Sequence, residues 1–231
     1  PWGSRINCHC SYGVIIKMDI LNLLLLILVS YLLGSVSGSM VLGKLRGVDI
    51  RTMGSGNAGG TNAFRTQGGT FALGVLVIDV GKGFIAAALV PQLGIAVLPT
   101  YNLLAYELLT VLCGAASVMG HVYPIYYGFK GGKGAGAAIG MILAISPLII
   151  LYAVIIWIVV LIITGYVGLA TMLGAVSIPI LSVPMEANNY FWGFSLILAV
   201  FILYAHRSNI NRMIAGNENR FDNARIFHQK K

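Results

Sequence analysis

Apolar runs long enough to cross a membrane govern what this chain can fold into. A helix needs about 20 consecutive apolar residues to cross a hydrocarbon core ~30 Å thick. Runs of about that length lie at 20–41, 70–90, 103–120, 168–183 and 190–205, separated by short polar gaps. Of 231 residues, 58% are apolar and 10% are charged, against roughly 25% charged in an average soluble domain. A water-soluble globule of this size cannot bury that excess, so lipid is the solvent for much of the chain. The expected fold is an all-α integral membrane protein.

A sixth apolar stretch, 134–164, is too long for one ordinary span. It contains Ser146-Pro147, where serine is a good N-cap and proline suits a first helical turn. It therefore splits into a short helix, 134–145, and a full one, Pro147–Thr164. The charges test the split. With seven helices and the N-terminus outside, loop 42–69 faces the cytoplasm with Lys44, Arg46, Arg51 and Arg65. Loop 121–133 brings Lys130 and Lys133 to the same side. The tail adds Arg207, Arg212, Arg220, Arg225, Lys230 and Lys231, while the outward segments 91–102 and 184–189 carry no lysine or arginine. Six helices would push the basic tail outside, against the positive-inside rule. Only Arg5 and Lys17, at the outer end, run the other way.

The net charge of +8 follows from this topology. Nucleic-acid binding needs a basic, aromatic-studded surface on a soluble fold, and is not expected here. Residues 1–17 differ in style from the rest and read as a tag remnant, a mis-assigned start or a short external tail. Residues 18–231 read as one polytopic domain, because the longest gap, 42–69, is too short for a second one. Cys8, Cys10 and Cys113 form no disulfide framework, and the Cys-His-Cys tripeptide at 8–10 lacks the spacing of a zinc site. No internal repeat is visible.

Three polar segments rich in glycine or asparagine fall on the predicted cytoplasmic face. GSGNAGGTNAFR, at 54–65, supplies backbone amides and the polar side chains of Ser55, Asn57, Thr61 and Asn62. Arg65 adds a planar fork suited to phosphate. GHVYPIYYGFKGGKG, at 120–134, delivers Lys130 and Lys133, among Gly131, Gly132 and Gly134, to a helix N-terminus that favours anions. It lacks the spacer and trailing Ser/Thr of a Walker A loop. The Gly-x-Gly-x-x-Ala at 132–137 has no preceding strand, so it is no dinucleotide fingerprint. The short helix behind this loop, at about 12 residues, spans only ~18 Å. Its glycine-rich lead is expected to dip below the cytoplasmic surface, which is tolerated only where protein or a water-filled cavity shields it. HRSNINRMIAGNENR, at 206–220, puts His206 and Asn209 three apart, on one face of a continuing helix. Glu218 in so basic a tail is expected to anchor loops by a salt bridge. Within the spans, Asp79 and Lys82 are three apart and are expected to pair structurally. Gly34 and Gly38 form a small-xxx-small face for close packing.

In order and on one face, these three segments resemble the signatures of the bacterial acyl-phosphate:glycerol-3-phosphate acyltransferase family (PlsY), along a match from about 31 to 221. The resemblance implies seven helices in a bacterial inner membrane, with the active site on the cytoplasmic face. It also implies transfer of a fatty acyl group from acyl phosphate to the sn-1 hydroxyl of glycerol 3-phosphate, giving lysophosphatidate and inorganic phosphate. No cofactor, metal or obligate protein partner is implied; the partners are the two substrates and the lipid bilayer. Carried over by position, Ser55, Arg65, Lys133, His206 and Asn209 bind or orient glycerol 3-phosphate. The 57–62 stretch, with Asn57, Thr61 and Asn62, and the Lys130–Gly134 loop hold the donor phosphate. Thr171 stands where the family commonly has serine. A GSxPxG pattern at the end of the first helix reads GSVSGS here, with Ser37 in place of proline, which puts a kink there in question. The alternative of another class, a carrier for a phosphorylated metabolite, suits a broken helix and a basic pocket. Against it, the polar loops lie on one side and no repeat is present.

Overall fold

The computed structural model describes residues 8–97, 103–185 and 187–221. Among these all the regular structure is helical, with no strand. Arg5, Arg225, Lys230 and Lys231 lie outside the described residues, as does part of the outward segment 91–102. The helices are α1 (Cys8–Gly34), α2 (Gly38–Leu45), α3 (Gly60–Gln67), α4 (Gly69–Ala88), α5 (Val90–Val97), α6 (Leu103–Val122), α7 (Ala135–Ile145), α8 (Pro147–Thr164), α9 (Val167–Ser182), α10 (Asn189–Ala205) and α11 (Arg207–Ile214). α1 runs without a break through Met18.

Among the described residues, three stretches are long and apolar enough to cross a membrane: Gly69–Leu93, Tyr106–Tyr127 and Pro147–Thr164. Two bent pairs bring the number to five, Ile20–Gly34 with Gly38–Leu45 at 44° and Asn189–Ala205 with Arg207–Ile214 at 51°. α7 and α9 are apolar but shorter, at 11 and 16 residues. Large apolar side chains such as Leu21, Leu151, Ile197 and Val200 are exposed on α1, α8 and α10. Such a surface is stable in hydrocarbon and a liability in water.

The first bend corrects the expectation for the GSVSGS segment. The helix breaks there without proline, and the break is held by α4. Lys82 Nζ donates to the Val36 carbonyl (2.7 Å), and the Gly38 amide donates to Asp79 Oδ1 (3.1 Å). Lys82 and Asp79 also pair at 3.0 Å and are buried. A broken helix in a low-dielectric interior frees backbone groups that must find partners, and this ion pair supplies them. The Asp79–Lys82 pair was expected from its spacing; its hold on the neighbouring backbone was not. Gly34 and Gly38 consequently serve different seams. A Cβ on Gly34 would strike the backbone of Ser117 on α6, and one on Gly38 the backbone of Val75 on α4.

Among the described residues, α4 and α7 share the most extensive helix contact. Gly83 meets the backbone of Ala137, and Gly140 meets the Val80 carbonyl, at distances that exclude any side chain. Small residues of this kind let backbones touch where packing, not water, drives association. The core lies beside this seam: Met141, Ile142, Ile149, Ile178, Phe191, Leu198 and Ile202 from α7 to α10 are buried together. α8 begins at Pro147 as expected, although the Ser146 side chain makes no capping bond. Asn188 does cap α10, its Oδ1 accepting from the Phe191 amide at 2.8 Å.

Candidate active site

At the end of the bundle where α3, α4, α7, α9 and α11 converge lies a cavity of about 520 Å³. Its wall contains Gly60 and Thr61 from the first turn of α3, and Ala135 and Gly136 from the first turn of α7. Neither helix has a side-chain cap; Gly59 and Gly134 stand at the N-cap positions, Gly134 with φ +89°. The leading amides of both helices therefore lack intrahelical acceptors, and each helix end carries partial positive charge. Two such ends in one wall make a receptor for anionic groups.

Cations reinforce it. Arg65, Lys133 and Arg212 all line the cavity. Lys133 Nζ donates to Asn209 Oδ1, and Asn209 Nδ2 donates to Glu218 Oε1 at 2.8 Å. Glu218 Oε2 accepts from Arg212 Nε at 2.6 Å. The chain Lys133–Asn209–Glu218–Arg212 fixes which way the Asn209 amide points and uses both carboxylate oxygens of Glu218. That is the anchoring role expected of Glu218, although its partner is Arg212 on the adjacent helix. Burial, followed by repulsion from Arg212, draws the Lys133 pKa down to about 8, with Glu218 opposing. Arg65 is half-buried, and burial lowers its pKa, again with Glu218 opposing. Its guanidinium lies 4.9 Å from the centre of the Phe221 ring and donates to the Asn219 carbonyl at 3.3 Å. The tail thus packs against α3 at Phe64 and Arg65.

His206 sits at the hinge between α10 and α11, so it and Asn209 do not share one continuous helix as expected. The turn brings both into the same wall. His206 Nδ1 lies 2.8 Å from the Ile202 carbonyl oxygen. A carbonyl only accepts, so Nδ1 carries the hydrogen and Nε2 of the neutral ring presents a lone pair.

Of the other residues singled out in the sequence, Ser55, Asn57, Asn62 and Thr171 also line the cavity. Asn62 is buried and fully engaged: Oδ1 accepts from the Ser55 amide (2.9 Å), and Nδ2 donates to the Ile50 and Met53 carbonyls (3.1 and 3.0 Å). It shapes the 54–60 loop instead of offering its amide to a ligand. Thr171 is engaged as well, its hydroxyl donating to the Val167 carbonyl (2.9 Å) and accepting from Trp157 Nε1 (3.1 Å).

Lys130, Gly131, Gly132 and Gly134 are not part of the cavity wall. Lys130 is exposed. The Gly131 and Gly132 amides donate to the Val122 and His121 carbonyls, both at 3.1 Å, so they are not bare. A Cβ on Gly132 would run into the His121 ring. These glycines let the loop pass close to the end of α6, and that passage seats Lys133. Two titratable lining residues, Arg212 and His121, have no site role in the sequence reading. Arg212 was counted only toward topology, though its i+3 spacing from Asn209 was a usable signal. Asp79 and His121 line the floor, with His121 Nδ1 3.4 Å from Asp79 Oδ1. That approach is not aligned for a hydrogen bond. A second space, about 970 Å³ and apolar, adjoins the cavity and shares Leu76, Ala135, Ile139, Trp157 and Thr171 with it.

A helical membrane protein with an anion receptor opening into an apolar groove is built to handle amphiphiles with charged heads. Relatives agree with that class. The family model for glycerol-3-phosphate acyltransferase matches residues 24–216. The glycerol-3-phosphate acyltransferase of Chlorobium limicola is 39% identical over 87% of this chain and 97% of its own length. Those of Geobacter sulfurreducens and Aquifex aeolicus are 37% and 36% identical, over 87% and 86% of this chain and 98% of theirs. Crystal structures of PlsY, an integral membrane glycerol 3-phosphate acyltransferase, in glycerol 3-phosphate and lysophosphatidic acid forms, superpose with TM-scores of 0.76 and 0.75. Both are 34% identical and cover 86% of this chain and 95% of theirs. The chain belongs to the glycerol-3-phosphate acyltransferase family, in its PlsY branch.

Proposed function

We propose that this protein transfers a fatty acyl group from acyl phosphate to the sn-1 hydroxyl of glycerol 3-phosphate, releasing inorganic phosphate. The observation that carries this reading is the junction of two spaces: a wall of two uncapped helix ends and three cations runs directly into an apolar groove. Acyl phosphate has a phosphate at one end and a hydrocarbon at the other, and the same junction accommodates both. The second anion, glycerol 3-phosphate, repels the first unless both are neutralised, which is the task of Arg65, Lys133 and Arg212.

The donor is a mixed anhydride, so its carbonyl is already activated. The glycerol hydroxyl oxygen bonds to the carbonyl carbon, and the bond from that carbon to the bridging phosphate oxygen breaks. The hydroxyl proton ends on the released phosphate, either directly or by way of His206 Nε2. Holding hydroxyl and carbonyl in near-attack contact supplies up to roughly 7–11 kcal/mol. Donors aimed at the developing oxyanion supply more. Ser55, Thr61 and Asn57 orient the polar ends, and Thr171 with Trp157 marks where head gives way to tail.

In the membrane, α7 and α9 complete seven spans, with the N-terminus outside and the cavity on the cytoplasmic side of the bacterial inner membrane. Short α7 crosses because its N-terminal lead is sheltered by protein, the Gly131 and Gly132 amides being held by the Val122 and His121 carbonyls at the end of α6. Residues 18–231 act as one catalytic unit. Purified protein in detergent or nanodiscs is expected to release inorganic phosphate from palmitoyl phosphate only when glycerol 3-phosphate is added, with 1-acyl-glycerol 3-phosphate as product. Transfer from a thioester donor alone, or acylation at the other hydroxyl, would overturn the donor or the position assigned.

A further inference from the structure

The apolar groove is walled by α4, α7, α8, α9 and α10. On α4 its lining runs from Leu76, at the rim shared with the polar cavity, past Gly81 to Ile85. α4 carries four glycines, and three have neighbours where a side chain would stand. A Cβ on Gly69 would contact the Phe64 ring at 3.6 Å, on Gly74 the Leu42 side chain at 2.8 Å, and on Gly83 the Ala137 backbone. Gly81 alone meets nothing within 4 Å, and it lines the groove. Its backbone is ordinary helix, not the left-handed region. Glycine in a helix interior is destabilising relative to alanine. Neither packing nor conformation accounts for glycine at this position, whereas the empty space in front of it does.

We propose that Gly81 is a specificity-determining residue for acyl-chain length, keeping the middle of the groove open so that long chains pass. The proposal rests on the acyltransferase reading above and concerns the tail, not the reacting head. Gly81 lies five residues beyond Leu76, or about 7.5 Å along the helix axis. An extended hydrocarbon advances ~1.25 Å per carbon, given C–C bonds of about 1.5 Å. A chain whose carbonyl sits at the shared rim therefore reaches Gly81 after roughly six carbons. Chains of eight carbons or fewer end near that level; a sixteen-carbon chain has to run past it. A branched or aromatic side chain projecting from residue 81 fills the groove there, and a close-packed site rejects each surplus methylene.

The test is a graded series, Gly81→Ala, Gly81→Leu and Gly81→Phe, assayed as phosphate release in the presence of glycerol 3-phosphate with octanoyl, dodecanoyl and hexadecanoyl phosphates. The expected result is a stepwise shift toward shorter chains. In Gly81→Phe, kcat/KM for the hexadecanoyl donor falls at least roughly tenfold relative to the octanoyl donor, and Gly81→Ala stays near the parent ratio. Retained octanoyl turnover shows that the variant is folded and its polar site intact. An unchanged ratio between chain lengths in Gly81→Phe, whether at full or at uniformly reduced activity, overturns the proposal. If the unmodified protein transfers no acyl group from any acyl phosphate, it is the acyltransferase reading that fails.

Discussion

Lys133 is held in a position that costs free energy when its ammonium is charged. Burial and Arg212 bring its pKa to about 8, and a bound dianion reverses that by supplying opposite charge. The sign follows. Below about pH 8 the free protein presents a charged Lys133, and above it the cation is lost. The expected profile of kcat/KM falls on its alkaline side near pH 8, while the kcat limb lies higher because bound phosphate raises the pKa. Lys133→Arg is expected to remove the limb; a limb that persists in that variant assigns it to another group. Lys133→Ala and Arg65→Ala are each expected to lower turnover by about 10²–10³-fold with the protein still folded and inserted, as read by thermal unfolding and size-exclusion profiles. That the three polar segments meet around one cavity was legible, because each combines amides or cations with a turn of chain that brings them together. The division of labour among them was not. Asn62 turned inward to hold the Ile50 and Met53 carbonyls, and Lys130 turned out to solvent, because tertiary neighbours decide where each side chain points.

Among the elements, helix boundaries set by glycine and proline were the legible part. α8 runs from Pro147 to Thr164 as the sequence suggests, and Gly165, which ends it, lies in the left-handed region at φ +75°. The bends were not legible. The break at 35–37 depends on Asp79 and Lys82, some forty residues away, and the turn at His206 occurs inside a continuous helical pattern. Asp79→Asn is expected to act on stability, because it leaves Lys82 buried without its counter-charge. Breaking such a pair costs about 3–5 kcal/mol, seen as a lowered thermal midpoint; a pure loss of kcat at unchanged midpoint would contradict this. The α4–α7 seam offers a companion test. Gly83→Val presses on the Ala137 backbone and is expected to destabilise by about 1–3 kcal/mol. The helical pitch alone does not distinguish Gly83 from Gly81, two residues away.

For the molecule as a whole, exposed leucine, isoleucine and valine side chains suit a lipid surface, and the proposed topology, by gathering most lysines and arginines on one side, predicts a single orientation in the bilayer. In variants lacking Cys8, Cys10 and Cys113, a membrane-impermeant thiol reagent is expected to reach Thr52→Cys and Phe129→Cys only from the cytoplasmic side. Val183→Cys is expected to react only from the periplasmic side. Labelling of Thr52→Cys and Phe129→Cys from opposite sides would separate the two loops that build the cavity and dismantle the site.

The splint across the first break has a consequence for how the chain is made. While α4 is still being synthesised, the Val36 carbonyl and the Gly38 amide have neither Lys82 nor Asp79 to bind. The opening segment therefore cannot settle alone into the lipid phase in its final shape. Its bend is completed only once the later segment arrives, so the final shape of the N-terminal part is tied to a residue pair encoded well downstream.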